Sequence, residues 1–474
     1  MPTSPLMRNT KIVATLGPAS DSPEMIGKLL AAGVDVFRLN ASHGTQDQHL
    51  ARLGRVREVA RQMGRHAGVL LDLQGPKIRL GQFEGGTATL VDGSRFTITT
   101  DTILGTAKAA CCTYQDLAKD AKPGDRILLA DGAVELRAIK TDGTAVECEV
   151  VSGGVISDRK GINLPGVAVS TPSLTKKDMA DLRFGVEAGV DMVALSFVRR
   201  RDDILRLKHF LEEHDAPLPV IAKIEKPEAW TNLDEIVAES DGLMVARGDL
   251  GVEVALEKVP FIQRSIIQRA RAQGRFTITA TQMLESMIEN AFPTRAEVTD
   301  IANAISDGTD AIMLSAETST GKHPVEAVKV MARVAEEAEC SLGVDAQVAN
   351  QEKTKRPDII ADAAYHAARQ LGAVAIAVFT TTGASARLVS RYRPPMPILA
   401  LTPTEAVARQ LNVVYGVRGI VTSMVPSTDE MVAQTDRLLA ELGWAKSGDM
   451  VVFVSGQPIG KPGTTNMMKL HRVG

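Results

Sequence analysis

The run Val220-Ile221-Ala222-Lys223-Ile224-Glu225 sets a lysine and a glutamate one residue apart at the end of a β-branched stretch. Strand alternation puts Lys223 and Glu225 on one face and Ala222 and Ile224 on the other. In isolation the pair reads best as a structural salt bridge. Arg247-Gly248-Asp249 changes that reading by supplying a second carboxylate beside a glycine. Two carboxylates at adjacent strand ends suit Mg²⁺, which takes one or two of them and fills its other positions with substrate oxygens and water. Gly248 lets backbone amides approach a substrate carboxylate with no side chain in the way. In Thr279-Ala280-Thr281 alternation places both hydroxyls on one face, where Thr281 could pass a proton directly or through water.

Nearer the N-terminus Arg38, Asn40 and Ser42 occupy alternate positions. An arginine, an amide and a hydroxyl aimed inward handle phosphate and cations rather than form a core. His43 on its own reads as a structural histidine. Asp72, Lys77 and Arg79 end and follow another apolar run, and Ser315-Ala316-Glu317-Thr318 makes one more polar strand end.

These residues need a scaffold that brings many strand ends together. Eight candidate strands, Ile12–Leu16, Val34–Leu39, Val69–Leu73, Met192–Phe197, Val220–Ile224, Leu243–Ala246, Phe276–Ala280 and Ala311–Leu314, alternate with helical periodicity. That order predicts an α/β fold built on a (β/α)₈ TIM barrel, with the site where the strands end. Between the third and fourth strands, Asp92-Gly93, Asp131-Gly132 and Asp142-Gly143 punctuate β-rich segments and predict hairpins. A small inserted β-barrel lid is expected there, overhanging the strand ends. The alternative is a decorative insertion. Polar residues Gln347–Asp358 read as a linker to an open α/β domain with a helix at Ile359–Leu371 and strands at Ala373–Phe379, Ile398–Leu401, Gly419–Ser423 and Met450–Val454. The expected domains are therefore 1–75 with 166–346 for the barrel, 76–165 for the lid, and 347–474 for the C-terminal unit.

The balance of 54 Lys+Arg against 57 Asp+Glu, with basic residues scattered, implies no nucleic-acid partner. No run approaches the ~20 apolar residues of a membrane span. The four cysteines lack ligand spacing and are few, which fits a reducing cytoplasm.

Lys11–Ser20, Arg38–Gly44, Gly75–Arg79, Lys160–Gly166, Lys223–Glu225, Arg247–Glu253 and Ala280–Met287, in this order, resemble the pyruvate kinase family across the whole barrel. Ala41 stands where that family usually has phenylalanine. The resemblance implies Mg²⁺-dependent transfer of the phosphoryl group of phosphoenolpyruvate to ADP, giving pyruvate and ATP, with Mn²⁺ an alternative metal. It implies that Glu225 and Asp249 hold the metal and that amides around Gly248 and Asp249 bind the substrate carboxylate. Lys223 and Arg38 would attend the transferring phosphoryl group, with Asn40, His43, Arg79 and Lys160 toward the nucleotide. Thr281 would stand on the side from which the enolate is protonated.

Members that need K⁺ hold it with residues matching Asn40, Ser42, Asp72 and the carbonyl of Leu73, and carry glutamate where this chain has Lys77. The resemblance here is to the potassium-independent branch, so K⁺ is expected to be dispensable. Thr380-Thr381-Thr382-Gly383-Ala384-Ser385, between a strand and a helix, reads as a phosphate cradle or a plain turn. The family uses this loop, with the stretch Gly456–Thr465, for a phosphorylated effector. With no arginine in Trp444–Gly448, a sugar or nucleotide monophosphate is expected rather than a bisphosphate, in a homotetramer. A metal-dependent lyase on the same barrel is the rival enzyme, and a catalytically silent effector-binding homologue is the non-enzymatic one.

Overall fold

A computed structural model of the chain describes residues 8–167, 169–342 and 356–474. Eight parallel strands, Lys11–Thr15, Val36–Asn40, Gly68–Asp72, Met192–Leu195, Val220–Ile224, Gly242–Ala246, Phe276–Ala280 and Ala311–Leu314, pair in chain order, and the first pairs with the last to close the barrel. The period-two pattern is visible in the packing. Val13, Val36, Leu70, Ile221, Met244 and Ile278 fill the barrel, while their neighbours Ile12, Phe37, Val69, Ala222, Leu243 and Ile312 pack beneath the helices. Ala41 is buried in that outer layer.

At the N-terminal mouth a device repeats four times. Asp35, Asp191, Asp241 and Asp310 each stand just before an even-numbered strand. Each accepts an amide from the first two residues of the neighbouring odd strand, from Ile12 (2.9 Å), Val69 (2.7 Å), Val220 (3.1 Å) and Thr277 (2.9 Å). Arginines neutralise three of these buried carboxylates: Arg8 at 2.8 Å from Asp35, Arg409 at 2.8 Å from Asp191, and Arg393 at 3.0 Å from Asp310. Arg409 and Arg393 come from the C-terminal unit, so these pairs also dock it on the barrel.

The inserted segment forms a six-stranded sheet, ordered Ile162–Asn163, Arg126–Leu129, Val134–Thr141, Ala145–Ser152, Arg95–Thr99 and Ala109–Cys111, with a two-stranded ribbon of Thr87–Leu90 and Gly154–Ser157 beside it. Asp131-Gly132 and Asp142-Gly143 turn hairpins as expected, with Gly132 and Gly143 at positive φ. Asp92-Gly93 does not. It joins Thr87–Leu90 to Arg95–Thr99, which lie in different sheets, so the same turn chemistry serves a crossing. The chain leaves the barrel at Gly75, whose positive φ turns it and whose amide is taken by Asp178 at 3.0 Å, itself the partner of the capping Thr175 at the start of the helix Lys176–Ala188. The outgoing and returning arms are held together by Ile162 donating to Ile78 (2.9 Å) and Arg79 to the Arg159 carbonyl (3.1 Å).

The C-terminal unit is a five-stranded sheet ordered Val417–Val421, Ile398–Thr402, Ala375–Phe379, Met450–Gly456 and Thr465–Arg472, the last antiparallel. That last strand was not expected. The linker at Gln347–Asp358 lies mostly outside the described residues. Among the described residues no helix is long and apolar enough to cross a membrane.

Candidate active site

Lys223 and Glu225 end the fifth strand facing the barrel mouth, with Asp72 of the third strand and Ser196 just past the fourth. The Lys223 ammonium lies 3.0 Å from Glu225, 3.3 Å from Asp72 and 2.7 Å from the Ser196 hydroxyl. Burial pulls against its charge, but the Asp72 and Glu225 carboxylates outweigh that and hold its pKa above the ordinary lysine value. Asp72 is also gripped by Arg38 at 2.7 Å, and Arg38 reaches Thr15 Oγ1 at 3.1 Å. Burial opposes ionisation of Asp72, yet Lys223 and Arg38 together keep its pKa below normal. Two cations and two carboxylates thus form one buried network in which every charge has a partner.

Glu225 differs from Asp72. Burial raises its pKa, Lys223 works the other way, and the nearby Asp249 charge adds to the rise; its second oxygen accepts from the Phe197 amide at 2.7 Å. A buried carboxylate pressed by a second one is a site a divalent cation relieves, and the donor set fits Mg²⁺. No group of three or more potential metal-ligating His, Cys, Asp or Glu side chains occurs among the described residues.

Asp249 sits in the first turn of the short helix Arg247–Glu253 rather than in a loose turn. Arg247 anchors that helix start to the seventh strand, donating to the carbonyls of Thr281 (2.6 Å) and Ala280 (3.3 Å) and pairing with Asp300 (2.6 Å). At the helix end Glu253 is held by Lys226 at 2.6 Å and by Asn163 of the lid arm at 3.1 Å. The helix carrying Asp249 is therefore tied to the residue after Glu225 and to the lid.

Thr279 and Thr281 do not share a face toward the mouth. Thr279 is fully buried against Thr309, 3.0 Å away, because alternation sends it outward under the helices. Thr281 escapes that direction only because the chain leaves the strand there, with Thr281 at φ 67° and Gln282 at φ 56°. A β-branched residue in the left-handed region is strained, and the surrounding bonds hold it there. The Thr281 hydroxyl accepts from the Gly248 amide at 2.8 Å and donates to the Ala280 carbonyl at 2.6 Å.

On the lid side, Lys77 lies 4.0 Å from Asp249. His43 is exposed, and partial desolvation followed by the Arg79, Arg38 and Lys77 charges lowers its pKa. Lys160 is exposed on the returning arm. Asn40 accepts from the Ser42 amide at 3.1 Å, and the Leu73 carbonyl accepts from Ser196 at 2.6 Å. Ser196 and Thr15 belong to this network although neither was singled out from sequence. Each sits on the inward register of its strand, and that register was the available signal.

In the C-terminal unit, Thr380–Ser385 and the Gly456–Thr465 stretch face one cleft of about 660 Å³. Thr380 Oγ1 accepts from the Gly383 amide at 2.9 Å, and Ser385 and Thr465 hydroxyls meet at 2.6 Å.

Comparison with known proteins agrees with this geometry. The family model "Pyruvate kinase, barrel domain" matches residues 7–328, and "Pyruvate kinase, alpha/beta domain" matches residues 358–471. A pyruvate kinase of Corynebacterium glutamicum is 47% identical over 467 residues, covering 98% of each chain. One from Geobacillus stearothermophilus is 44% identical over 472 residues, covering 98% of this chain and 80% of its own. The crystal structure of a pyruvate kinase from Cryptosporidium parvum superposes with a TM-score of 0.93 at 36% identity, covering 98% of this chain and 96% of that one. With both domains matched and the strand-end network in place, this chain belongs to the pyruvate kinase family.

Proposed function

We propose that Lys223, Arg38, Glu225, Asp249 and Thr281 carry out the reaction of this family, transfer of the phosphoryl group of phosphoenolpyruvate to ADP with release of pyruvate and ATP. The observation that carries the assignment is the Lys223 ammonium held among Asp72, Glu225 and Ser196 beside Arg38. Phosphoryl transfer needs positioning and neutralisation of negative charge more than covalent help. A lysine and an arginine fixed by buried carboxylates supply that charge without having to reorganise. The family generally needs Mg²⁺; Glu225 and Asp249 would hold it or Mn²⁺ here, and when bound it supplies Lewis-acid neutralisation of substrate oxygens. Gly248 and Asp249 offer helix-start amides to the substrate carboxylate, and the substrate competes with Thr281 for the Gly248 amide. Once that amide is released, the Thr281 hydroxyl is free to relay a proton to the enolate carbon. Asn40, His43, Arg79 and Lys160 face the nucleotide from barrel and lid.

K⁺ is dispensable on this reading. Three of the four groups that would coordinate it already accept from a donor: Asn40 from Ser42, Asp72 from Arg38 and Lys223, and Leu73 from Ser196, while Lys77 supplies a charge nearby. The Thr380, Thr381, Thr382, Gly383, Ala384 and Ser385 loop takes a sugar or nucleotide monophosphate as effector. The chain works as a cytoplasmic homotetramer with domains 1–75 plus 166–346, 76–165 and 347–474.

The test is substitution of the carboxylates. Glu225→Gln and Asp249→Asn should each lower turnover by orders of magnitude and weaken the Mg²⁺ dependence with the fold intact by circular dichroism. Near-normal activity with an unchanged Mg²⁺ titration in either variant would defeat the assignment.

A further inference from the structure

The fourfold device at the N-terminal mouth is incomplete at one position. Arg409 and Arg393 of the C-terminal unit are docked on Asp191 and Asp310. Opposite Asp241 stands Arg387, on the helix Ala384–Ser390, and its guanidinium makes no hydrogen bond or ion pair among the described residues. Asp241 is instead engaged by Lys208 at 3.7 Å and the Val220 amide at 3.1 Å. Between them opens a cleft of about 1210 Å³, lined by Arg387, Lys208, Thr382, Gln410, Asp241 and Glu212. Burial works against the charge of Arg387, Asp241 partly offsets this, and Arg275 adds repulsion. Arg387 is partly exposed, so its guanidinium is open to an anion that enters the cleft.

We propose that this cleft binds a phosphate monoester carrying hydroxyl groups, such as a sugar phosphate, at a site distinct from the cleft of the Thr380–Ser385 loop. The planar fork of Arg387 suits two phosphate oxygens, with Lys208 as a second positive charge and Thr382 and Gln410 as neutral hydrogen-bonding partners. Asp241 and Glu212, across the cleft, would repel a second phosphate but accept hydrogen bonds from hydroxyls. The position gives the site reach. Asp241 pins the start of the strand that ends in Lys223, and Thr382 also lines the loop cleft. Gly383 presses against Arg387, a Cβ there meeting its Nη1 at 3.3 Å, so a ligand on Arg387 touches loop and barrel together.

The test is binding, independent of catalysis. In a Lys461→Glu background, whose new carboxylate repels anions from the loop cleft, ribose 5-phosphate and inorganic phosphate are titrated calorimetrically. Ribose 5-phosphate should bind with a stoichiometry of one per chain and at least tenfold more tightly than phosphate. Arg387→Gln should weaken it tenfold or more and Lys208→Ala severalfold. Gln410→Glu, which adds a charge at the cleft with little demand on packing, should also weaken it and serves if Arg387→Gln fails to fold. Absence of binding at millimolar ribose 5-phosphate, or unchanged affinity in the folded Arg387 and Gln410 variants, overturns the proposal. Equal affinity for the two ligands removes the role given to the carboxylates.

Discussion

If K⁺ is dispensable as proposed, replacing Lys77 by glutamate should create a potassium requirement. The Lys77 ammonium lies 4.0 Å from Asp249, with the two side chains 30% and 29% exposed. It therefore belongs to the charge set of the reacting centre while remaining partly in water. At that distance two unit charges interact by about 4 kcal/mol at an effective dielectric of 20 and by about 1 kcal/mol in bulk water. Reversing the charge doubles the change felt by an anionic reactant at comparable distance. Screening at this exposure favours the lower half of the resulting range, about 2 to 5 kcal/mol, or ~30- to 5000-fold in kcat/KM. Pyruvate formation would be followed by a coupled reductase in potassium and in tetramethylammonium buffers at matched ionic strength. Wild type should be similar in both. Lys77→Glu should lose the stated factor in tetramethylammonium and recover much of it with K⁺. A wild-type enzyme nearly inactive without K⁺, or a Lys77→Glu variant indifferent to the cation, would refute the reasoning while leaving the family assignment standing.

Lys223→Met should abolish phosphoryl transfer yet leave exchange of pyruvate methyl protons with solvent, whereas Thr281→Val should slow that exchange; NMR of pyruvate in D₂O with and without ADP separates the two, and equal loss of both in Lys223→Met would contradict the division of roles. Ser196→Ala removes a donor to the Leu73 carbonyl and a partner of Lys223, so turnover should fall about tenfold, matching a lost hydrogen bond near a charge of about 1.5 kcal/mol; an unchanged turnover would make Ser196 a bystander. Asp35 predicts acid sensitivity. Burial would raise its pKa, but Arg8, Lys11 and Arg418 pull it down to about 2 from 3.8. A depressed carboxylate contributes stability above its unfolded pKa and loses it as pH falls through the folded one, so about 2 kcal/mol should disappear between pH 4 and 2. Chemical denaturation of wild type and Asp35→Asn across that window checks it, and parallel curves would remove the assignment.

The barrel was legible because its strands are short apolar runs with the right period and spacing, and observed boundaries differ from the expected ones by a residue or two. Lys223 and Glu225 were legible for the same reason, since alternation fixes a direction once a strand is placed, whereas Asp249 was legible as a carboxylate just past a strand end, beside a glycine. Thr281 shows where that logic stops. Alternation aims it outward with Thr279, and only the positive φ at Thr281 and Gln282, which no propensity predicts for threonine, returns it to the site. Ser196 was hidden by its ordinariness, because a serine after a strand carries no signal until Lys223 is known to lie beside it. The strand Thr465–Arg472 was missed because beyond Thr465 its run of asparagine, methionine, lysine, leucine and histidine has no β-branched residue. Arg387 and Asp241 come to line one cleft only through docking of two units, which no local pattern records.

The joined arms of the lid also bear on how the chain folds. Val69 and Asp191, which bond across the third and fourth barrel strands, are separated by 122 residues. Closing so long a loop delays barrel formation, since its entropy is lost before the contact is gained. If the lid folds first, the crossing at Arg79 and Arg159 spans 80 of those residues and leaves about 40 to be closed. Logarithmic scaling puts the saving near ~1 kcal/mol, about a fivefold faster barrel closure. An insertion that looks like a late addition to the barrel thus acts as a staple on the two consecutive strands that lie furthest apart in the chain, and its core of Phe96, Ile98, Leu136 and Val146 does work long before any substrate arrives.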